Sequence, residues 1–202
     1  MNKLIAILIF YKYSSDSIPL IASCYSLSDF SFWSRSSIRE SILFCCRQII
    51  KRQSIDTYQC IQQNDYICFS HLNSDNFGYC IVATIPDITV NSKLHLFGYN
   101  IVSDLQLLSL SPPINTCDHP DPENNVPVLL SILTKWQTPQ DKLILIRSEL
   151  DDTRQILYKS IDQILERGEK LESIIDKTND LSLQSKIFLK KSKQLNRCCL
   201  LF

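Results

Sequence analysis

Two adjacent cysteines at the end of the chain are the residues whose types and spacing most directly indicate chemistry. The last four residues, Cys199-Leu200-Leu201-Phe202, fit the C-a-a-X signature for prenylation of the cysteine. Cys198 precedes them and can take a second lipid, and a terminal Phe favours geranylgeranyl over farnesyl, with exceptions. Two lipids, or one lipid with basic residues, anchor a protein stably, whereas one lipid alone binds only marginally. The alternative is a hydrophobic end with incidental thiols.

The residues before these cysteines are basic. No acid follows Asp180, while Lys186, Lys190, Lys191, Lys193 and Arg197 are all cationic. No run approaches the ~18 apolar residues that a membrane-spanning helix needs, and Leu4–Phe10 resembles a buried strand more than a signal peptide. We therefore expect a cytosolic chain that reaches a membrane through lipid and a basic tail.

The net charge of the whole chain does not reveal this basic tail. There are 21 Lys+Arg and 21 Asp+Glu, so the net charge is zero and nothing draws the chain as a whole to nucleic acid. Only three glycines are present, which disfavours a phosphate-binding loop and hence a nucleotide enzyme. Twenty-two of the last 62 residues are charged, against 20 of the first 140, so the chain divides into two unlike parts.

A second candidate for chemistry is an arginine within a periodic apolar pattern in the charged part. Steps of three and four residues select sixteen positions, of which ten are apolar, five are small hydroxyls and one is charged. They are Leu143, Ile146, Leu150, Thr153, Leu157, Ser160, Ile164, Arg167, Leu171, Ile174, Thr178, Leu181, Ser185, Phe188, Ser192 and Leu195. This is typical of a coiled-coil seam on one long helix. At 1.5 Å per residue it spans about 78 Å, so the segment must find partner helices or break into pieces that fold back.

Arg167 is the charged residue in the seam. A buried guanidinium is costly unless its donors are satisfied, and three facing amide carbonyls could satisfy them. Such a polar layer fixes the register of a helical bundle. The alternative is an arginine that reaches solvent beside a turn weakened by Gly168. The symmetric flanking pattern favours the register role.

The first 136 residues must position these features. Five apolar runs predict strands over 4–11, 18–25, 58–62, 66–71 and 79–85, with the last three forming an antiparallel meander. Helical periods cover 34–52 and 91–108, and 125–136 can hold a short third helix. The predicted fold is therefore α+β, with domain 1–136, coiled-coil segment 137–197 and tail 198–202.

The remaining cysteines and the histidines show no pattern of a reactive site. Residues 24, 45, 46, 60, 68, 80 and 117 have no C-x-x-C spacing, so we expect no zinc and interpret these thiols as small apolar side chains. The histidines His71, His95 and His119 lack a recognisable nucleophile arrangement. We therefore predict neither catalytic residues nor a metal, and no cofactor other than covalent lipid.

Three stretches together resemble the prenylated longin-type R-SNAREs, in the same order along nearly the whole chain. Asp29–Ile38 is similar to the start of the first longin helix, and Leu165–Leu171 is similar to the R-SNARE centre. Arg197-Cys198-Cys199 with its aliphatic end is similar to the lipidation site, although the terminal Phe202 departs from the family's Met-like ending.

The resemblance implies a profilin-like longin domain and a helix that joins Qa-, Qb- and Qc-SNAREs in a parallel four-helix bundle. It places the zero-layer arginine at Arg167, a prenyl group on Cys199 and a palmitoyl or second lipid on Cys198. It implies that the longin domain folds over the SNARE segment and shelters the lipid, with Phe44 in the groove.

The resemblance also implies where and with what the protein acts. It implies disassembly by the general SNARE-dissociating ATPase with its adaptor, and residence in the cytosol and on Golgi, ER, endosomal or vacuolar membranes. The alternative function is a longin-domain trafficking scaffold that binds partner coiled coils without driving fusion.

Overall fold

The computed structural model describes residues 3–63, 65–84, 91–108, 127–137, 156–165 and 168–195. Its strands are β1 Leu4–Tyr11, β2 Leu20–Tyr25, β3 Thr57–Gln63, β4 Tyr66–Leu72, β5 Phe77–Thr84 and β6 Ile156–Ser160. Its helices are α1 Arg35–Arg52, α2 Asn91–Gln106, α3 Pro127–Gln137, α4 Ile161–Ile164, α5 Leu171–Lys177 and α6 Leu183–Leu195, with a short 3-10 turn at Phe32–Ser34.

The strands form one sheet in the order β2-β1-β5-β4-β3-β6. The first five pair antiparallel, as the apolar runs and intervening turn residues predict. The predicted α+β class, the five-stranded antiparallel sheet and the β3-β4-β5 meander are therefore confirmed. The most buried strand, β1, lies between β2 and β5 and is almost wholly apolar.

Each face of the sheet is covered by helices. One apolar cluster joins the sheet to α2 and α3 through residues such as Ile101, Leu105 and Trp136. The other joins it to α1 and to the segment 161–189. Ile101 and Leu105 are one helical turn apart on α2, and both are fully buried.

Helix α1 lies close against the sheet at its C-terminal end. Gly78 on β5 makes this possible, because a Cβ there would lie 2.9 Å from the Ile50 side chain. The ammonium of Lys12 donates hydrogen bonds of 3.0 Å to the carbonyls of Ile50, Lys51 and Gln53. A cation at the last turn satisfies open carbonyls and opposes the negative end of the helix dipole. These contacts fix the helix on which the C-terminal segment packs.

The C-terminal segment is broken where the sequence predicts one continuous helix. Leu165 and Thr178 are both extended, and Gly168 has φ +95°, a left-handed conformation that other residues rarely adopt. Of the two alternatives for the long seam, the structure shows the second, in which pieces fold back. The physical reason is that an apolar stripe without partner helices is exposed unless it packs on the domain.

Candidate functional site

The candidate site is the surface of α1 and the sheet that receives the folded-back segment. Strand β6 extends the sheet by pairing parallel with β3, from Tyr58 opposite Ile156 to Gln62 opposite Ser160. Ser160 then caps α4 through a capping box with Gln163. The strand covers an edge that would otherwise present unpaired backbone groups. The segment is therefore held by backbone as well as side-chain contacts.

Polar contacts join the segment to α1. Arg47 pairs with Asp180 at 3.1 Å and Arg52 pairs with Glu169 at 2.8 Å. The backbone N–H of Ser182 donates to a Glu40 carboxylate oxygen at 2.9 Å. These pairs are partly exposed, so each contributes little energy and chiefly selects the register of the segment on α1.

The contact with the segment lowers the pKa of the Glu40 carboxyl. Burial alone would raise its pKa, but hydrogen bonds from the Ser182 backbone and from the Ser185 and Ser182 side chains hold the pKa below its ordinary value. Docking of the segment therefore favours the charged form of Glu40.

Apolar positions of the predicted seam are among the residues that pack on the domain. Ile164, Leu171 and Leu181 are buried, and Ile174 and Phe188 are half-buried against the same apolar cluster. Ser185, a small hydroxyl of the seam, is also fully buried. The seam therefore holds a stripe that α1 and the sheet bury in this structure.

Other predicted site residues lie outside the part of the chain that the structure describes. They are Leu143, Ile146, Leu150, Arg167, Cys198 and Cys199. Leu157 belongs to β6 and Leu195 ends α6, and their side chains are likewise outside it. The seam role of Leu157 conflicts with its strand conformation here, because a strand cannot present a three-and-four-residue helical stripe. Its predicted place in a helical bundle requires β6 to leave the sheet.

Phe44 is buried within the cluster that receives the segment. It is 1% exposed and shares that cluster with Leu181. It lies one helical turn from Glu40 and one from Arg47, the two α1 residues that contact the segment at 180–182. Phe44 therefore supports the docking surface, and its predicted groove role stays a prediction.

An apolar cavity of about 290 Å³ separates α1, the sheet and α6. Its walls include Ile38, Ile42 and Ile49 from α1, Ile5, Ile61, Ile67 and Val82 from the sheet, and Phe188, Leu189 and Ser192 from α6. Phe44 is not among the residues that line it. A cavity of this size and character is suited to an apolar ligand and is near the small end of the ligand-pocket range of about 300–1,000 Å³.

Three thiols meet beside this cavity. The sulfur atoms of Cys46, Cys68 and Cys80 lie within 4.8 Å of one another, and burial raises the pKa of the Cys80 thiol. The six described cysteines form no disulfide. Sequence analysis missed this group because the three residues come from α1, β4 and β5, and only the strand register brings them together. In that register Ser70 opposes Cys80, which places Cys68 and Cys80 diagonally on one face of the sheet.

His71 has a structural role. His71 is 4% exposed and its ring stacks on Tyr58 with centroids 4.0 Å apart. Its Nδ1 lies 3.1 Å from the Thr57 carbonyl oxygen.

The strand β6 was also missed by sequence analysis, although Ile156-Leu157-Tyr158 has strand-forming residue types.

Among the described residues, no helix has both the length and the apolar character required to cross a bilayer.

Comparisons with known proteins extend over the whole chain. A sequence model described as Synaptobrevin matches residues 142–201, which include the predicted seam. The chain is 34% identical to the VAMP-like protein YKT61 of Arabidopsis thaliana over 201 residues, covering 98% of each protein. It is 30% identical to Synaptobrevin homolog ykt6 of Schizosaccharomyces pombe over 193 residues, covering 94% of this chain and 95% of that one. It is 29% identical to Synaptobrevin homolog YKT6 of Yarrowia lipolytica over 183 residues, covering 90% of each.

Proposed function

The chain belongs to the synaptobrevin family, and from that premise we propose that it is an R-SNARE held closed by its own longin domain until Q-SNAREs engage it. The family consists of non-enzymatic trafficking proteins that pair with other SNAREs, so the resemblance noted from the sequence is confirmed at that level. A role in vesicle trafficking follows from membership. The closed state, the partner set and the lipids are the proposal.

One observation carries the closed state: apolar positions that a four-helix bundle needs are buried against α1 and the sheet. Leu171 and Leu181 are 3% and 5% exposed. A side chain cannot occupy two cores at once, and a residue of β6 cannot also be helical. Bundle formation therefore has to remove the segment from the domain. The longin domain acts as a competitor whose binding energy subtracts from that of the Q-SNAREs.

The proposed partners are the helices that compete with the longin domain for the C-terminal segment. We infer that the helix from 137 to 197 joins one helix each from Qa-, Qb- and Qc-SNAREs. Arg167 would lie in the central layer, where three glutamine carbonyls accept hydrogen bonds from its guanidinium. The dissociating ATPase with its adaptor would return the chain to the closed form.

The apolar cavity gives the closed form a place for lipid. Ser192 lines the cavity, and Cys198 and Cys199 follow six and seven residues later. An extended chain spans ~3.3–3.6 Å per residue, so this tail has ample length to return to the cavity mouth. We propose that a prenyl group on Cys199 occupies the cavity in the closed form. Opening would expose that lipid, and a second lipid on Cys198 would then give stable anchoring.

Basic residues complete the proposed membrane contact. Lys186 and Lys190 bind Asp176 within the segment in the closed form, through its backbone carbonyl and its carboxylate respectively. Unfolding of this packing frees both cations near the lipidated end. The proposed sites of action are the cytosol and the cytoplasmic faces of Golgi, ER, endosomal or vacuolar membranes.

The test is reconstituted fusion with the lipidated chain on one set of liposomes and cognate Q-SNAREs on another. The wild type should form the bundle and mix lipids, and Arg167→Gln should assemble poorly because its layer loses the charged donor. Lys170→Gln is the matched control, since it removes one nearby positive charge at an exposed position outside the seam. Bundle formation without lipid mixing would favour the trafficking-scaffold alternative, and unchanged assembly of Arg167→Gln would contradict the central-layer role.

A further inference from the structure

Three sulfur atoms from three elements converge in the apolar layer between α1 and the sheet, and the proposed function uses no chemistry of their thiols. Cys46 lies on α1, Cys68 on β4 and Cys80 on β5, with exposures of 1%, 9% and 0%. The sulfurs of Cys46 and Cys68 are 4.0 Å apart, and all three lie within 4.8 Å of one another. The Cys80 thiol also donates to the Cys46 carbonyl at 3.9 Å.

We propose that Cys46, Cys68 and Cys80 form a binding site for a soft, thiophilic metal ion of the Cu(I) type. Thiol ligands select soft ions, whereas Mg²⁺ and Ca²⁺ require oxygen ligands. Among the His, Cys, Asp and Glu residues that the structure describes, no fourth ligand atom joins the three sulfurs. Structural zinc sites are closed by four protein ligands, so a set of three sulfurs is better matched to Cu(I), which accepts three-coordinate sulfur.

The spacing of the sulfurs fits one ion. In an equilateral triangle with 4.8 Å sides the centre lies about 2.8 Å from each corner, and with 4.0 Å sides it lies about 2.3 Å away, which is the usual metal–thiolate distance. The Cys46–Cys68 side of the observed triangle is 4.0 Å and the other two sides are at most 4.8 Å, so a central ion lies within about 2.8 Å of each sulfur before any adjustment.

Binding of the ion exchanges protons for the metal. Metal ligands are thiolates rather than thiols, so each cysteine that coordinates Cu(I) releases its proton to solvent. The site belongs to a cluster of apolar side chains, where uncompensated charge is costly, and the copper ion offsets part of the thiolate charge there.

When no lipid occupies it, the apolar cavity supplies a route to the site. Cys46 and Cys68 line it, and so does a further thiol, Cys45. An incoming ion held by a small thiol carrier therefore meets protein sulfur along the route. Once bound, the ion links α1 to β4 and β5, and this cross-link stabilises the domain that receives the folded-back segment.

The test is an anaerobic titration of the full chain with Cu(I) buffered by a chromogenic chelator, followed by X-ray absorption spectroscopy. We expect one tightly held copper per chain, with three sulfur neighbours at about 2.3 Å. The variants Cys46→Ala, Cys68→Ala and Cys80→Ala should each lower the affinity by more than about tenfold, since loss of even an outer-sphere partner costs ~10–100-fold. Circular dichroism identifies which variants fold, and three variants on three elements keep the test valid if one does not.

The matched control is Cys60→Ala. Cys60 is 1% exposed and belongs to the cluster on the opposite face of the sheet, so its replacement should leave copper affinity unchanged. The double variant Cys198→Ser/Cys199→Ser should also retain the tightly held copper, because that pair offers only two sulfurs. Copper that remains in all three site variants, copper lost with the terminal pair, or a coordination shell with nitrogen or oxygen in place of sulfur would overturn the proposal. Failure here leaves the SNARE proposal intact, because the fusion test uses no metal.

Discussion

A substitution at Ile175 tests the packing of the closed form without changing the predicted core of the bundle. This side chain is fully buried against the domain, yet it is adjacent to the seam position Ile174 and is not part of the seam. The substitution Ile175→Ala therefore removes a contact of the closed form and leaves the predicted bundle core intact. Replacing a buried Ile by Ala costs ~2–5 kcal/mol. We take about 2 kcal/mol, because a short helix on a surface can settle into part of the space.

This loss of stability of the closed form should make assembly with Q-SNAREs measurably faster. Every 1.4 kcal/mol is tenfold, so about 2 kcal/mol raises the open fraction roughly 30-fold while the closed form dominates. The rate of assembly with excess Q-SNAREs should rise by the same factor until opening is no longer limiting. Stopped-flow anisotropy of a labelled Q-SNARE follows this rate. Circular dichroism of the free variant checks that the domain stays folded.

The control for this experiment is Ile187→Ala. Ile187 lies on α6, is 47% exposed and is also outside the seam, so its loss should change stability by less than about 0.5 kcal/mol and assembly hardly at all. Assembly of Ile175→Ala at the wild-type rate would refute the closed packing. Slower assembly would show that Ile175 belongs to the bundle core.

Three further outcomes follow from the structure. Phe44→Glu should weaken docking of the segment and move the lipidated protein from the soluble to the membrane fraction in a liposome flotation assay, and unchanged partitioning would show that Phe44 serves only the domain core. Because docking holds the pKa of Glu40 below its ordinary value, the closed form should be stable above that value and lose the Ser182 contact as pH falls through the lowered pKa. The protection factors of α6 amides, which correct for the slower intrinsic exchange in acid, should then fall for the wild type and show no such step for Glu40→Gln. Gly98→Ala should destabilise the domain by ~1–3 kcal/mol in thermal unfolding, since its Cβ would lie 2.2 Å from the Phe69 ring, and an unchanged midpoint would contradict that packing.

The strands and the longin helices were predictable because their signals are local. Apolar runs such as Leu4–Tyr11 end at polar turns, and Ile38 and Ile49 recur at helical spacing, so the bounds agree with the structure within a few residues. Leu171 and Leu181 of the predicted seam are buried on the domain here, and their place in a helical bundle stays a prediction.

The conformation of the C-terminal segment was not predictable in the same way. Ile156-Leu157-Tyr158 suits a strand by residue type and a helix by its place in the seam, and the choice depends on whether β3 or partner helices are available. The amino-acid sequence alone does not determine whether β3 or partner helices are available to this segment. The cluster of Cys46, Cys68 and Cys80 depends likewise on strand register and helix docking, which no spacing along the chain records.

Hydrogen exchange of strand β3, residues Thr57–Gln63, tests the central claim most directly. In the closed form β3 lies between β4 and β6, and it becomes a sheet edge when β6 leaves. Mass spectrometry of the full chain, alone and bound to Q-SNAREs, should show β3 amides exchanging faster in the complex while β4 amides stay protected and α6 stays helical. Unchanged protection of β3 in a fully assembled complex, or a segment 156–195 that exchanges freely in the isolated chain, would contradict the account.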